Sequence, residues 1–160
     1  MEPKRKDYMR LEIPSLSANE SFARATIAAF AARLDPTLEE ISDIKTAISE
    51  AVTNAVIHGY EDEIGPVILS ASIEGSTLLV EITDQGKGIA DIEKVREAFY
   101  TSKPELERSG MGFTIMESFM DEISVVSGEG RGTTVRMVKN LTPKTDKGDN
   151  QDEPGNGNGN

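Results

Sequence analysis

Cysteine is absent from the 160 residues, and histidine occurs once. Disulfide frameworks and thiolate metal sites are therefore excluded, and a single imidazole cannot build a histidine-based metal cluster. Basic charge is also scarce, with 17 Lys and Arg against 28 Asp and Glu and a formal charge of −11. Only −2 of it lies in the last twenty residues, so the body keeps about −9. That balance argues against direct nucleic-acid binding but not against a basic protein partner. No apolar run approaches the roughly 18 residues needed to span a bilayer, and the start "MEPKRKDYMRLEIP" lacks an apolar h-region. The expectation is a cytoplasmic protein with no membrane contact, of a length that suits one domain with a real core.

Hydrophobic periodicity organises the chain. Tyr8 to Ile13 alternates weakly and stops at Pro14, which suits an edge strand. "SANE" (17–20) has capping-box spacing and predicts an Ala-rich helix to about Leu34, and "TLEE" (37–40) repeats the signal after Asp35-Pro36. On the second helix Ile41, Ile44, Ile48, Val52 and Ala55 fall within an arc of about 80° at roughly 100° per residue, with Gly59 as a stop. "VILSASI" (67–73) and "LLVEIT" (78–83), joined by Glu74-Gly75-Ser76-Thr77, predict an antiparallel hairpin. A short helix over 91–100, a loop over 101–112, a helix over 111–120 and strands at 122–127 and 133–139 follow. Strands in hairpins and helices in groups predict an α/β fold, a two-layer sandwich of a mixed, mainly antiparallel sheet with helices on one face. Residues 1–7 form a flexible extension, 8–142 the domain, and 143–160, with no apolar anchor, a disordered tail.

Four short stretches carry candidate chemistry. In "ISEAVTNAVIHGY" (48–60) Glu50, Asn54 and His58 recur every four residues on a helix that Ala47, Ala51 and Ile57 cover on its second side. Glu50 offers a carboxylate able to take a proton, and Asn54 offers a neutral oxygen of the type Mg²⁺ accepts. A solvated polar face is the competing reading, and His58 suits a cap or rim position. In "DQGKG" (84–88) a carboxylate at a strand end can accept from an exocyclic amine, and Gly86 and Gly88 permit close approach, although a plain Asp/Gly turn has the same composition. In "SGMGF" (109–113) Gly110, Met111 and Gly112 open a helix whose free N–H groups make an anion site, with Lys103 and Arg108 on a lid-length loop upstream. An ordinary surface loop with two cations fits equally. "GRGTT" (130–134) reads as a hairpin turn in which Thr133 can offer a hydroxyl to a ligand. No Walker loop is present.

The order of these boxes, E-x-x-x-N, D-x-G-x-G, a lid ending in G-x-G and then G-T-T, resembles the ATP-binding domain shared by gyrase, a class of heat-shock chaperones, histidine kinases and mismatch-repair ATPases. "NESFAR", "SEAVTNAVIHGY" and "TSKPELERSGMGFTIMESFMD" sharpen this, since over roughly residues 8–140 the chain resembles the anti-sigma F factor family. The resemblance implies a Bergerat-type ATP-binding fold and a serine kinase that holds sigma factor F inactive and phosphorylates its anti-anti-sigma factor. It implies ATP as substrate, ADP as product, Mg²⁺ as cofactor, and a homodimer. By matching positions it makes Glu50 the general base, Asn54 the magnesium ligand and Asp84 the adenine-binding carboxylate beside Gly86 and Gly88. Gly110, Met111 and Gly112 fall on the phosphate side, Lys103 and Arg108 on the lid, Thr133 beside the adenine, and Glu20 and Arg24 on a partner surface. A stress-response switch kinase, and a sigma-binding module that holds ATP without phosphotransfer, are the alternatives.

Overall fold

The computed structural model describes residues 6–60, 62–86, 112–128 and 130–143. In chain order these form β1 (Asp7–Pro14), α1 (Asn19–Ala31), α2 (Leu38–Asn54), β2 (Pro66–Glu74), β3 (Thr77–Asp84), α3 (Gly112–Phe119), β4 (Glu122–Ser127) and β5 (Thr133–Asn140). One five-stranded sheet has the order β1-β2-β3-β5-β4, and each of its four strand pairs is antiparallel. β1 lies at an edge, where the missing donor of Pro14 costs no inner ladder bond.

Period-two burial explains the layers. Val67, Leu69 and Ala71 on β2, Leu78, Val80 and Ile82 on β3, and Val135 and Met137 on β5 all turn into the core. The intervening Ser70, Ser72, Glu81, Thr83 and Arg136 face the other way and are only half-buried or exposed. The core is shared with α2, which packs between α1 and α3. Ile44, Ile48 and Val52 are buried together with Ala47 and Ala51, so α2 is covered on two sides. Each large apolar side chain removed from water in this way contributes roughly 1.5–3 kcal/mol before the entropy of ordering it is counted.

The two expected capping boxes part company. At Thr37 the box forms: the Glu40 N–H donates to Thr37 Oγ1 at 3.1 Å, and the Thr37 N–H donates to Glu40 Oε1 at 2.9 Å. At Ser17 it does not, because Ala18 is already in the helical region and α1 has no side-chain cap. The Glu20 N–H instead donates to the Ser17 carbonyl at 3.2 Å, and the Glu20 carboxylate meets Arg24 one turn later. The same S-x-x-E spacing thus gives a cap only where the residue before the helix is extended, as Thr37 is with ψ 165°.

The β2–β3 hairpin turns on two residues with Gly75 at φ 61°, which suits a II′ turn. α3 is fastened at its far end, where Lys139 Nζ donates to the Phe119 carbonyl at 2.7 Å and lies 3.3 Å from Asp43 of α2. A cation on the last carbonyls of a helix is favourable twice over, for the orphan acceptor and for the dipole. Among the described residues no helix is long and apolar enough to cross a membrane. The expected helix over 91–100, most of the loop over 101–112, the tail beyond Pro143 and the first five residues lie outside the described residues.

Candidate nucleotide site

α2 does not end at Asn54 as a simple stop. It passes into one π-helical turn, Ala55–Gly59, carrying the half-buried His58. Wide turns of this kind re-aim a helix end and cluster at functional sites. Here the turn brings the Gly59 backbone onto the end of β3, so that a Cβ at Gly59 would stand 2.8 Å from the Asp84 carboxyl carbon. A Cβ at Gly86 would stand 1.7 Å from the Gly59 carbonyl oxygen. Two main chains therefore touch with no room for a side chain, and the Asp84–Gly86 turn is held against the helix that carries Glu50 and Asn54.

Asp84 is 5% exposed. Its carboxylate accepts the Gly86 N–H at 3.0 Å, and Thr133 is its register partner on β5. Burial raises its pKa above the ordinary 3.8, and the main-chain N–H groups of Gly86 and Thr133 oppose that shift. Tyr60 clamps the same turn. The Gln85 N–H donates to Tyr60 Oη at 2.7 Å, and Oη in turn donates to the Pro66 carbonyl at 2.5 Å. Burial pushes the phenol above its ordinary 10.0, with the Gln85 N–H opposing and the Asp84 charge adding to it.

Glu50 and Asn54 are half-buried one turn apart on α2. The Asn54 Nδ2 atom is buried and has no hydrogen-bond partner among the described residues. A buried amide end left unmatched is a feature that a ligand or ion would satisfy. Gly112 opens α3, whose first N–H groups have no helical acceptors. Thr133 is 9% exposed.

Residues 13–139 match the family described as the histidine kinase-like ATPase domain. The chain is 58% identical over 138 residues to the anti-sigma F factor of Anoxybacillus flavithermus, covering 86% of this chain and 94% of that one. It is 54% identical over 138 residues to the anti-sigma F factor of Bacillus subtilis, with the same coverage, and 60% identical over 131 residues to that of Clostridium acetobutylicum, covering 82% and 92%. The chain belongs to the anti-sigma F factor family. ATP is accordingly the ligand class of its domain, and kinase-type chemistry on ATP the coarse activity.

Within the anti-sigma F frame, the structure joins the end of the helix that carries Glu50 and Asn54 to Asp84 and Gly86 through Gly59, with Thr133 paired to Asp84. Gly112 stands at the start of α3, and α3 packs on α2. Gly88, Lys103, Arg108, Gly110 and Met111 lie outside the described residues. Glu20 and Arg24 sit on α1, where Arg24 Nη1 is 3.2 Å from both Glu20 Oε1 and Ser49 Oγ. Tyr60 and the contact role of Gly59 escape sequence reasoning: Gly59 looks like a helix stop, and nothing local tells that Tyr60 will meet an amide 25 residues away.

Proposed function

We propose that this protein is an ATP-dependent anti-sigma factor that binds and inhibits sporulation sigma factor F and phosphorylates the cognate anti-anti-sigma factor on serine. The supporting observation is the join between the two ends of the site. Glu50 and Asn54 lie on a helix that runs on, through Gly59, into contact with the buried carboxylate of Asp84. A base-recognising end and a phosphate-handling end then belong to one packed unit. The names of the relatives supply the sigma factor.

In this reading Asp84 accepts from the exocyclic amine of adenine, with Thr133 beside it and Gly86 and Gly88 leaving the ring room. The start of α3 at Gly112 faces the phosphates, and by the resemblance Gly110 and Met111 belong to the same phosphate side, with Lys103 and Arg108 adding positive charge. The serine oxygen attacks the γ-phosphorus as the bond to the ADP oxygen breaks, and Glu50 accepts or orients the hydroxyl proton. The unmatched amide of Asn54 fits a magnesium ion, since half a turn about χ2 places its oxygen where Nδ2 stands. Magnesium, when bound, neutralises phosphate charge. Among the described residues no group of three or more acidic or histidine side chains could hold a metal, so Asn54 would share the ion with the nucleotide.

Arg24 is assigned to the partner surface together with Glu20. In support, Arg24 Nη1 donates to Ser49 Oγ, on the residue before Glu50 in α2, at 3.2 Å. The protein is taken to act in the cytoplasm as a homodimer, the latter checked by light scattering of the purified chain.

The deciding experiment follows labelled γ-phosphate from ATP to the anti-anti-sigma protein and capture of sigma F in the same tubes. Labelled serine with ATP-dependent capture is expected, and Arg24→Ala should weaken both complexes. Capture without label would reduce the protein to an ATP-dependent binding module. Label without capture would assign it to another sigma factor.

A further inference from the structure

A hydroxyl inside a helix can turn back on its own main chain, and three here do so. Thr26, Thr46 and Ser118 each donate to the carbonyl four residues earlier, at 2.8, 3.0 and 2.9 Å. Ser49, half-buried in the C-terminal half of α2, is used differently. Its Oγ accepts from Nη1 of Arg24 on α1 at 3.2 Å, across the packed faces of the two helices. The same nitrogen donates to Glu20 Oε1 at 3.2 Å, one turn back along α1.

Nη1 carries two hydrogens, and these two oxygens match them. The N–H groups on Nε and Nη2 take no part in either contact, so part of the guanidinium remains for a partner on a side chain that is 40% exposed. The ion pair with Glu20 holds Arg24 to its own helix, and a partly exposed pair one turn apart contributes little. The Ser49 contact ties the guanidinium to α2. Glu50 is the next residue, about 1.5 Å further along the helix axis.

We infer that Ser49 is a positioning residue for the protein substrate, fixing the Arg24 guanidinium against the helix segment that carries Glu50. A substrate held at Arg24 then enters in register with the base, and a shift of about 1 Å between those two points is enough to slow a transfer step strongly. The inference rests on the readings of Arg24 as a partner contact and of Glu50 as the base. Without the Ser49 hydroxyl, Glu20 alone of these two oxygens holds Arg24, and its long side chain must be ordered at each encounter.

The test measures kcat/KM for transfer of labelled γ-phosphate from ATP to the anti-anti-sigma protein, at substrate well below KM so that slow variants still report. The full chain is compared as wild type, Ser49→Ala, Ser49→Thr, Arg24→Ala and Ser49→Ala combined with Arg24→Ala, with ATP dissociation constants taken by calorimetry. Ser49→Ala should lower kcat/KM by roughly threefold to tenfold with ATP affinity unchanged, and Ser49→Thr should keep it within about twofold. Alanine is the better helix former, so Ser49→Ala keeps its fold. In the Arg24→Ala background Ser49→Ala should have no further effect, because it acts through Arg24. An unchanged kcat/KM in Ser49→Ala, an equal loss in Ser49→Thr, a parallel fall in ATP affinity, or additive losses in the combined variant would each overturn the inference. If wild type transfers no label, or Arg24→Ala transfers at the wild-type rate, the reading of the site falls and takes the inference with it. If Arg24→Ala is slow while Ser49→Ala is not, the inference alone falls.

Discussion

Gly86→Ala probes the contact that unites the site. The new Cβ would stand 1.7 Å from the Gly59 carbonyl oxygen and 2.3 Å from its carbon, and real Cβ atoms essentially never come within 3.0 Å. Both sides are main chain, so no side chain can swing aside. The segments must part by about 1.3 Å, the gap between those two distances. Such a shift carries hydrogen bonds of 2.7 and 3.0 Å past the limit of useful geometry. Those at risk are Gly86 N–H to the Asp84 carboxylate, about 1.5–3 kcal/mol for a charged acceptor, and Gln85 N–H to Tyr60, about 1 kcal/mol. Together they amount to ~2.5–4 kcal/mol, or roughly 10²–10³-fold in ATP affinity if the loss falls on the recognition turn. Calorimetric titration with ATP, beside a thermal melt, reads this directly. Gly128→Ala is the control, because its Cβ meets only the flexible Arg131 side chain at 3.3 Å, and it should stay within about 0.5 kcal/mol of wild type. ATP affinity within about threefold of wild type and an unchanged melting temperature for Gly86→Ala would refute the close-approach argument.

Three further outcomes are expected. Glu50→Gln should slow single-turnover phosphotransfer by something like 10²–10⁴-fold with ATP affinity kept, and undiminished transfer would remove Glu50 from the mechanism. Asp84 has a folded-state pKa above its ordinary 3.8, so the folded protein binds the proton more tightly and this group's contribution to stability falls as pH rises from about that value through the raised one. The stability of wild type relative to Asp84→Asn should therefore decline across that window in urea melts at stepped pH, and a rising difference would contradict the burial argument. Lys139→Met leaves the Phe119 carbonyl and Asp43 without their shared cation at a site where the two charged side chains are only 12% and 21% exposed. A loss of about 1.5–3 kcal/mol should appear as a lower urea midpoint, whereas an unmoved midpoint would show that the clamp on α3 contributes nothing.

Period-two alternation made β2, β3 and β5 legible, and the isoleucine arc made α2 legible, because burial repeats with the geometry of the element itself. Glu50 and Asn54 were legible for the same reason, as polar residues on a helix covered on two sides. Asp84 and Thr133 were candidates from composition, but their pairing is a matter of register between strands separated by 48 residues of chain. The two S/T-x-x-E boxes show the limit of local signals. Ser17 and Thr37 have the same spacing to a glutamate, yet only Thr37 caps, since the path of the chain into the helix decides the cap.

The amino-acid sequence by itself therefore determined the strands, the helices, the acidic and cysteine-free character, and the family, because each depends on residue type and short-range spacing. Tertiary structure decided the π turn after Asn54, the contact of Gly59 with Asp84 and Gly86, the Tyr60 clamp and the meeting of Ser127 with Thr133. Those features arise from atoms far apart in the chain that share a few ångströms of space, where a missing Cβ or a single phenol hydroxyl settles what fits.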